Sequence, residues 1–82
     1  MKKYKCIKEF IVNKYDENFL LTEKKRTVKK GTVWNMTNEI PYTNGDYHLE
    51  RYTDTHFIWI DIIAEHLKEF FEEVKNGKNK NK

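Results

Sequence analysis

Apolar and polar positions alternate along most of this chain, and the period changes only once, near the end. Tyr4, Cys6, Phe10 and Val12 recur at even positions, interrupted by Lys8, with Ile7 and Ile11 among the odd ones. A period of two over residues 4–13 predicts a strand with one mostly apolar face. Asp16-Glu17-Asn18 is a turn cluster, and Phe19-Leu20-Leu21 predicts a short second strand. Residues 23–26 read as a charged connection that leads through Thr27 and Val28 to a turn at Lys29-Lys30-Gly31. Trp34 and Met36 share one face of a strand over residues 32–37. Residues 38–46 hold the only proline, Pro41, and the turn-forming pair Asn44-Gly45. Residues 47–52 and 56–60 then form a hairpin around Thr53-Asp54-Thr55, its second arm rich in strand formers.

Beyond this the apolar spacing becomes helical. Ile63, Leu67, Phe70 and Val74 lie four, three and four apart, which predicts an amphipathic helix over residues 62–76, capped by Asp61 and stopped by Gly77. Residues 77–82 are only Gly, Asn and Lys, and are expected to be a disordered tail after a single domain over residues 1–76. The expected fold class is α+β, mostly β: a small SH3-like, partly open antiparallel barrel, or a sheet of about five strands, with a C-terminal α-helix. Trp34, Trp59, Leu49, Phe10 and the Leu67/Phe70/Val74 stripe are the expected core.

Composition sharpens this picture in three ways. Aromatic residues reach 15% of 82 residues, so a small core here gains its area from large rings. Cys6 is the one cysteine, which rules out an intramolecular disulfide and suits a reducing cytoplasm. The basic start lacks the apolar run of a signal peptide, and no stretch approaches the ~20 apolar residues of a membrane span. The expected location is cytoplasmic.

Charge is sorted along the sequence. Residues 1–31 carry ten Lys/Arg against four Asp/Glu, residues 32–74 carry two against nine, and residues 75–82 add four lysines. The net charge of +3 therefore hides a dipolar molecule, built to meet a charged partner. Fourteen lysines against two arginines, with eight Asn and seven Ile, is the usage that an AT-rich genome imposes. It also argues against sequence-specific DNA reading, which relies on arginine forks.

Tyr4-Lys5-Cys6-Ile7-Lys8, Val28-Lys29-Lys30-Gly31-Thr32-Val33-Trp34, His48-Leu49-Glu50 and Phe70-Phe71-Glu72-Glu73 together resemble small proteins encoded by phages and mobile elements of Firmicutes. The resemblance covers residues 4–74. It implies a setting in which accessory factors and inhibitors of host defence systems are common, and it implies no site residues.

Catalytic and metal chemistry find little purchase. His48, His56 and His66 show no i, i+4 pair, and one distant cysteine adds no ligand cluster, so they are expected to be hydrogen-bonded surface residues with no metal or cofactor. Lys5 and Lys8 could activate Cys6, but no base stands near it in sequence, and a buried structural thiol is expected. Asp61, Glu65 and Glu69 have the spacing of a solvated helix face. Three glycines make no phosphate loop. The chain is expected not to be an enzyme.

Two binding readings follow. Asp54, Asp61, Glu65, Glu69, Glu72 and Glu73 make a candidate protein-binding surface, able to imitate a phosphate row in a basic groove of an enzyme. This gives the leading expectation: a non-enzymatic protein-binding module, acting as a phage or mobile-element accessory protein that inhibits a host defence enzyme. The alternative is a nucleic-acid-binding barrel that uses Lys24, Lys25, Arg26, Lys29 and Lys30, with rings to stack on bases. The acidic second half opposes it.

Overall fold

The structure, a computed structural model, describes residues 2–75. The expected tail over residues 77–82 lies outside them. The strands are β1 (Lys2–Cys6), β2 (Phe10–Tyr15), β3 (Leu21–Val28), β4 (Val33–Met36), β5 (Tyr47–Tyr52) and β6 (Phe57–Ile62), followed by the helix α1 (Ala64–Phe70) and the strand β7 (Phe71–Glu73). Among the described residues seven strands form two antiparallel sheets: one of five strands in the order β6-β5-β4-β1-β7, and the hairpin β2-β3. The fold is thus mostly β with one short helix, and the two sheets do not close into a barrel.

Three expected elements are corrected. The first strand breaks at residues 7–9 instead of running to residue 13. Apolar side chains on both of its faces cannot share one core, and the break sends Cys6 into the large sheet and Phe10 into the hairpin. It is held by backbone bonds from the Cys6 N–H to the Thr32 carbonyl and from the Ile7 N–H to the Phe70 carbonyl, both at 2.8 Å. Residues 23–26 are not a connection but the middle of β3, because β2 offers their backbone a ladder and both charged faces stay wet.

The helix is the largest correction. It spans seven residues, and Asp61 does not cap it, since residue 61 still belongs to β6. Asp46 takes that role from a distance, its Oδ2 accepting the Ala64 N–H at 2.8 Å. After Phe70 the chain turns extended and pairs with β1, Cys6 opposite Phe71 and Lys5 opposite Glu72. Two adjacent phenylalanines favour this outcome: Phe71 enters the core while Phe70 stacks on Phe10 at 4.4 Å. Pairing also covers an edge of β1 that a longer helix would leave bare. Val74 consequently lies exposed rather than in the core.

Cys6, Val28, Trp34, Leu49, Ile60, Ile62, Leu67 and Phe71 are the buried core. Trp34, Leu49 and Leu67 stand where the sequence places them. Phe10 and Phe70 pack on the rim of the core, half-buried. Trp59 is opposite Glu50 and next to Ile60, so alternation turns it to the other face of the sheet. That second face is where the chemistry collects.

Candidate functional site

The β5–β6 hairpin has a register of Tyr52 opposite Phe57, Glu50 opposite Trp59 and His48 opposite Asp61. Alternation therefore lines His48, Glu50, Trp59 and Asp61 along one face. His48 is fully buried, and each ring nitrogen meets a carboxylate: Nδ1 to Asp61 Oδ1 at 2.8 Å and Nε2 to Glu50 Oε2 at 3.0 Å. Two such bonds need two protons among the three groups. An imidazolium between two carboxylates satisfies this, as does a neutral ring beside one carboxylic acid. In either arrangement the trio carries one net negative charge. The second Asp61 oxygen accepts from the Thr43 N–H at 2.7 Å and the Thr43 hydroxyl at 2.8 Å, so the trio also ties down the loop over residues 38–46. At Gly45 (φ +142°) that loop runs so close to β6 that a Cβ would stand 2.9 Å from the Ile62 nitrogen, and only glycine fits.

Aromatic rings roof the trio. Tyr42 packs on His48 at 4.3 Å, and Trp59 gathers Tyr42 at 5.0 Å, Phe19 at 5.9 Å and Tyr15 at 6.1 Å. Burial raises the Tyr42 phenol pKa, and the carboxylates of Glu39, Glu50 and Asp61 raise it further. Phe19 reaches this cluster from the β2–β3 turn with φ +63°, a left-handed conformation that is strained for a bulky side chain. Asp16 secures the turn: its Oδ1 accepts the N–H groups of Asn18 at 2.8 Å and Leu20 at 3.0 Å.

Between the hairpin and the large sheet runs an open cleft of about 760 Å³. Phe10–Tyr15 forms one wall and Phe57–Ile62 the other, and His66 and Phe70 of α1 line it together with Thr43 and Asn44. Lys14, Lys25 and Arg26 also line it, and none of the three forms an ion pair among the described residues. Of the acidic lining, Asp16 holds its own turn and Asp61 holds His48 and Thr43, which leaves Glu17. The cleft thus mixes apolar and polar lining, and its three cations are not ion-paired among the described residues.

The acidic candidates do not form one row. Asp54 is exposed at the tip of the β5–β6 turn, whereas the Asp61 side chain is only 1% exposed and is removed from any contact surface. Glu65 and Glu69 are exposed on α1, with Glu69 paired to Lys8 at 3.3 Å. Glu72 and Glu73 follow each other in β7 and so point to opposite faces, Glu73 pairing with Lys75 at 3.7 Å. Among the basic candidates, Lys25 and Arg26 reach the cleft while Lys24, Lys29 and Lys30 do not line it.

His48 is corrected from a surface residue to a buried one. Pairing residue 53 with 56 across Asp54-Thr55 carries the ladder to residues 48 and 61, and the His48-x-Glu50 spacing puts both on one face. That register is the signal that reveals the trio. His56 is exposed, bonded to the Thr55 hydroxyl at 2.7 Å. Among the described residues no group of three or more His, Cys, Asp or Glu is placed to hold a metal ion. Comparison with known protein families, curated proteins and solved structures gives no match to this chain.

Proposed function

We propose that this chain is a non-enzymatic module that binds a partner protein in the cleft between β2 and β6. The cleft carries this reading: it is open, lined by side chains of both walls, and bounded by two strands that among the described residues each have one unpaired edge. In this reading it is the open side of a partly open, SH3-like plan. A catalytic role has less support. His48 is enclosed by its two carboxylates and Tyr42, and Cys6 lies in the core with its thiol pKa raised by burial. Neither presents a reactive atom to the cleft.

Nucleic-acid binding is the second reading, favoured by one observation: Lys14, Lys25 and Arg26 stand in the same cleft as the rings of Tyr15 and Trp59. The role of a mobile-element accessory protein that inhibits a host defence enzyme rests on the resemblance alone. Among the described residues no helix is long and apolar enough to cross a membrane.

A photo-cross-linking residue in place of Ile11, which is exposed on the cleft wall, tests the choice in cells that make the protein. A discrete protein adduct is expected, with none from the same probe at Asp54. An adduct with RNA or DNA moves the assignment to the second reading, and no adduct removes the cleft as the site.

A further inference from the structure

The backbone of β6 gives the proposed partner a shape. In an antiparallel pair, residues alternate between pointing their N–H and C=O groups at the partner strand and away from it. The Thr53 N–H donates to the His56 carbonyl at 2.8 Å, which makes residues 53 and 56 a bonded pair. Counting along the register, Ile58, Ile60 and Ile62 face β5, and Phe57, Trp59 and Asp61 face outward. A separate bond agrees. The Thr37 N–H donates to the His48 carbonyl at 3.3 Å, so His48 faces β4 and leaves Asp61 without a ladder partner on β5. The pairing of His48 with Asp61 is thus the non-bonded kind, in which side chains approach most closely, as their 2.8 Å contact requires.

Three residues of β6 therefore turn six backbone groups toward the cleft, and among the described residues no backbone bond joins β6 to β2. A six-residue edge is about 20 Å long, the length of an ordinary strand. The cleft lining carries Lys14, Lys25 and Arg26, with no carboxylate partner among the described residues. Each of these unpaired cations can take a carboxylate from an incoming acidic strand.

Building on the protein-binding reading, we infer that the cleft takes an extended acidic segment of the partner, which adds as a strand to the outer edge of β6. Main-chain bonds to Phe57, Trp59 and Asp61 supply affinity. Lys14, Lys25 and Arg26 select acidic side chains on the incoming strand.

The test is a titration of isotope-labelled protein, followed by NMR, with a short synthetic peptide of alternating Glu and Val. Saturable binding is expected, with the Phe57, Trp59 and Asp61 amides among the most shifted and newly protected from exchange. Methylating the peptide nitrogens of either the Glu set or the Val set removes the donors on one edge. One of these two peptides should bind about tenfold more weakly, the loss of one or two net hydrogen bonds. A Lys-Val peptide should also bind more weakly, and the Lys25→Glu/Arg26→Glu variant should lose the preference for Glu while keeping its melting temperature.

Strand addition is overturned if no peptide binds, if neither methylated peptide weakens, or if the shifts map away from β6. Concentration-dependent dimerisation through β6 would name a second copy as the occupant and overturn it too. Stronger competition by a single-stranded oligonucleotide would favour nucleic acid instead. A retained protein adduct from the residue-11 probe alongside failed peptides would reject strand addition and leave the protein-binding reading standing.

Discussion

Phe19 meets Trp59 edge-on with ring centroids 5.9 Å apart, and this contact fastens the tip of the β2–β3 hairpin to the outer face of β6. Phe19 adopts φ +63° to make it. The left-handed conformation costs an L-residue about 1–2 kcal/mol, and an aromatic pair returns about 0.5–1.5 kcal/mol beyond the area it buries. The contact and the strain are therefore comparable in size, and the hairpin tip is held by their balance.

Substitution at Phe19 separates the two. Phe19→Ala loses the ring and keeps the strain, while Phe19→Gly loses both. Phe19→Gly is expected to be more stable than Phe19→Ala by about 1 kcal/mol in urea melts, although glycine normally costs stability. Equal or reversed stabilities would show that residue 19 is not strained.

His48 should be among the least replaceable residues. His48→Leu leaves Asp61 and Glu50 facing each other around an apolar side chain, Glu50 without its His48 donor and Asp61 with only the two donors of Thr43. Removing one partner from a buried charge network costs about 3–5 kcal/mol, against about 5–15 kcal/mol of stability for a whole domain. Adding Asp61→Asn to His48→Leu should cost less than its effect in the wild type, because one stranded charge disappears. A double-mutant cycle by denaturant melts reads this coupling, and additive losses would mean that the trio does not act as a unit.

The hairpin of β5 and β6 was legible as an element because alternation, strand-forming residues and a short turn agree, though they left its register open. The His48–Asp61 pairing was not legible, because it needs β6 to start at Phe57 and run through Asp61, which the sequence reads as a helix cap. Trp59 was misplaced for a related reason, since hydrophobicity says that a ring is covered but not from which side. The C-terminal helix was the hardest element to read. The Leu67–Phe70–Val74 spacing fits a helix, but the bare edge of β1 competes for residues 71–73, and a tertiary contact of that kind leaves no mark on local periodicity. The cleft arises where the hairpin meets the β6 edge, and it became visible only with the topology.

Cys6 offers a test of the core from its chemistry. Its thiol lies among core residues with carbonyl oxygens of Lys8 at 3.3 Å and Val28 at 3.8 Å, and burial, aided by Glu9, raises its pKa above the ordinary 9.0. A thiol reagent should therefore label Cys6 only on unfolding. Because the folded state holds this proton more tightly, stability should fall as pH rises past the unfolded value. Cys6→Ala lacks that contribution, so the stability gap between wild type and variant should narrow at alkaline pH. A gap independent of pH, or rapid labelling of the native protein, would place the thiol outside the core.

The acidic and cationic surfaces make opposite predictions for binding, and charge reversal decides between them. Glu65 and Glu69 are exposed on α1 and Glu72 is exposed on β7, so changing all three to Lys should leave the melting temperature within a few degrees. If the partner docks in the cleft, these changes lie outside it and should leave the yield of the residue-11 adduct nearly intact. Lys25→Glu with Arg26→Glu reverses charge in the cleft lining itself. That pair should abolish the adduct, while far-ultraviolet circular dichroism and the melting curve confirm a folded hairpin. Salt provides an independent check, because exposed charges are screened over about 8 Å at physiological ionic strength. The wild-type adduct should decline as salt rises, and whatever adduct survives in the cleft variant should not. The reverse pattern, with binding lost on changing Glu65, Glu69 and Glu72 and kept on changing Lys25 and Arg26, would move the interface from the cleft to the acidic face of α1 and β7.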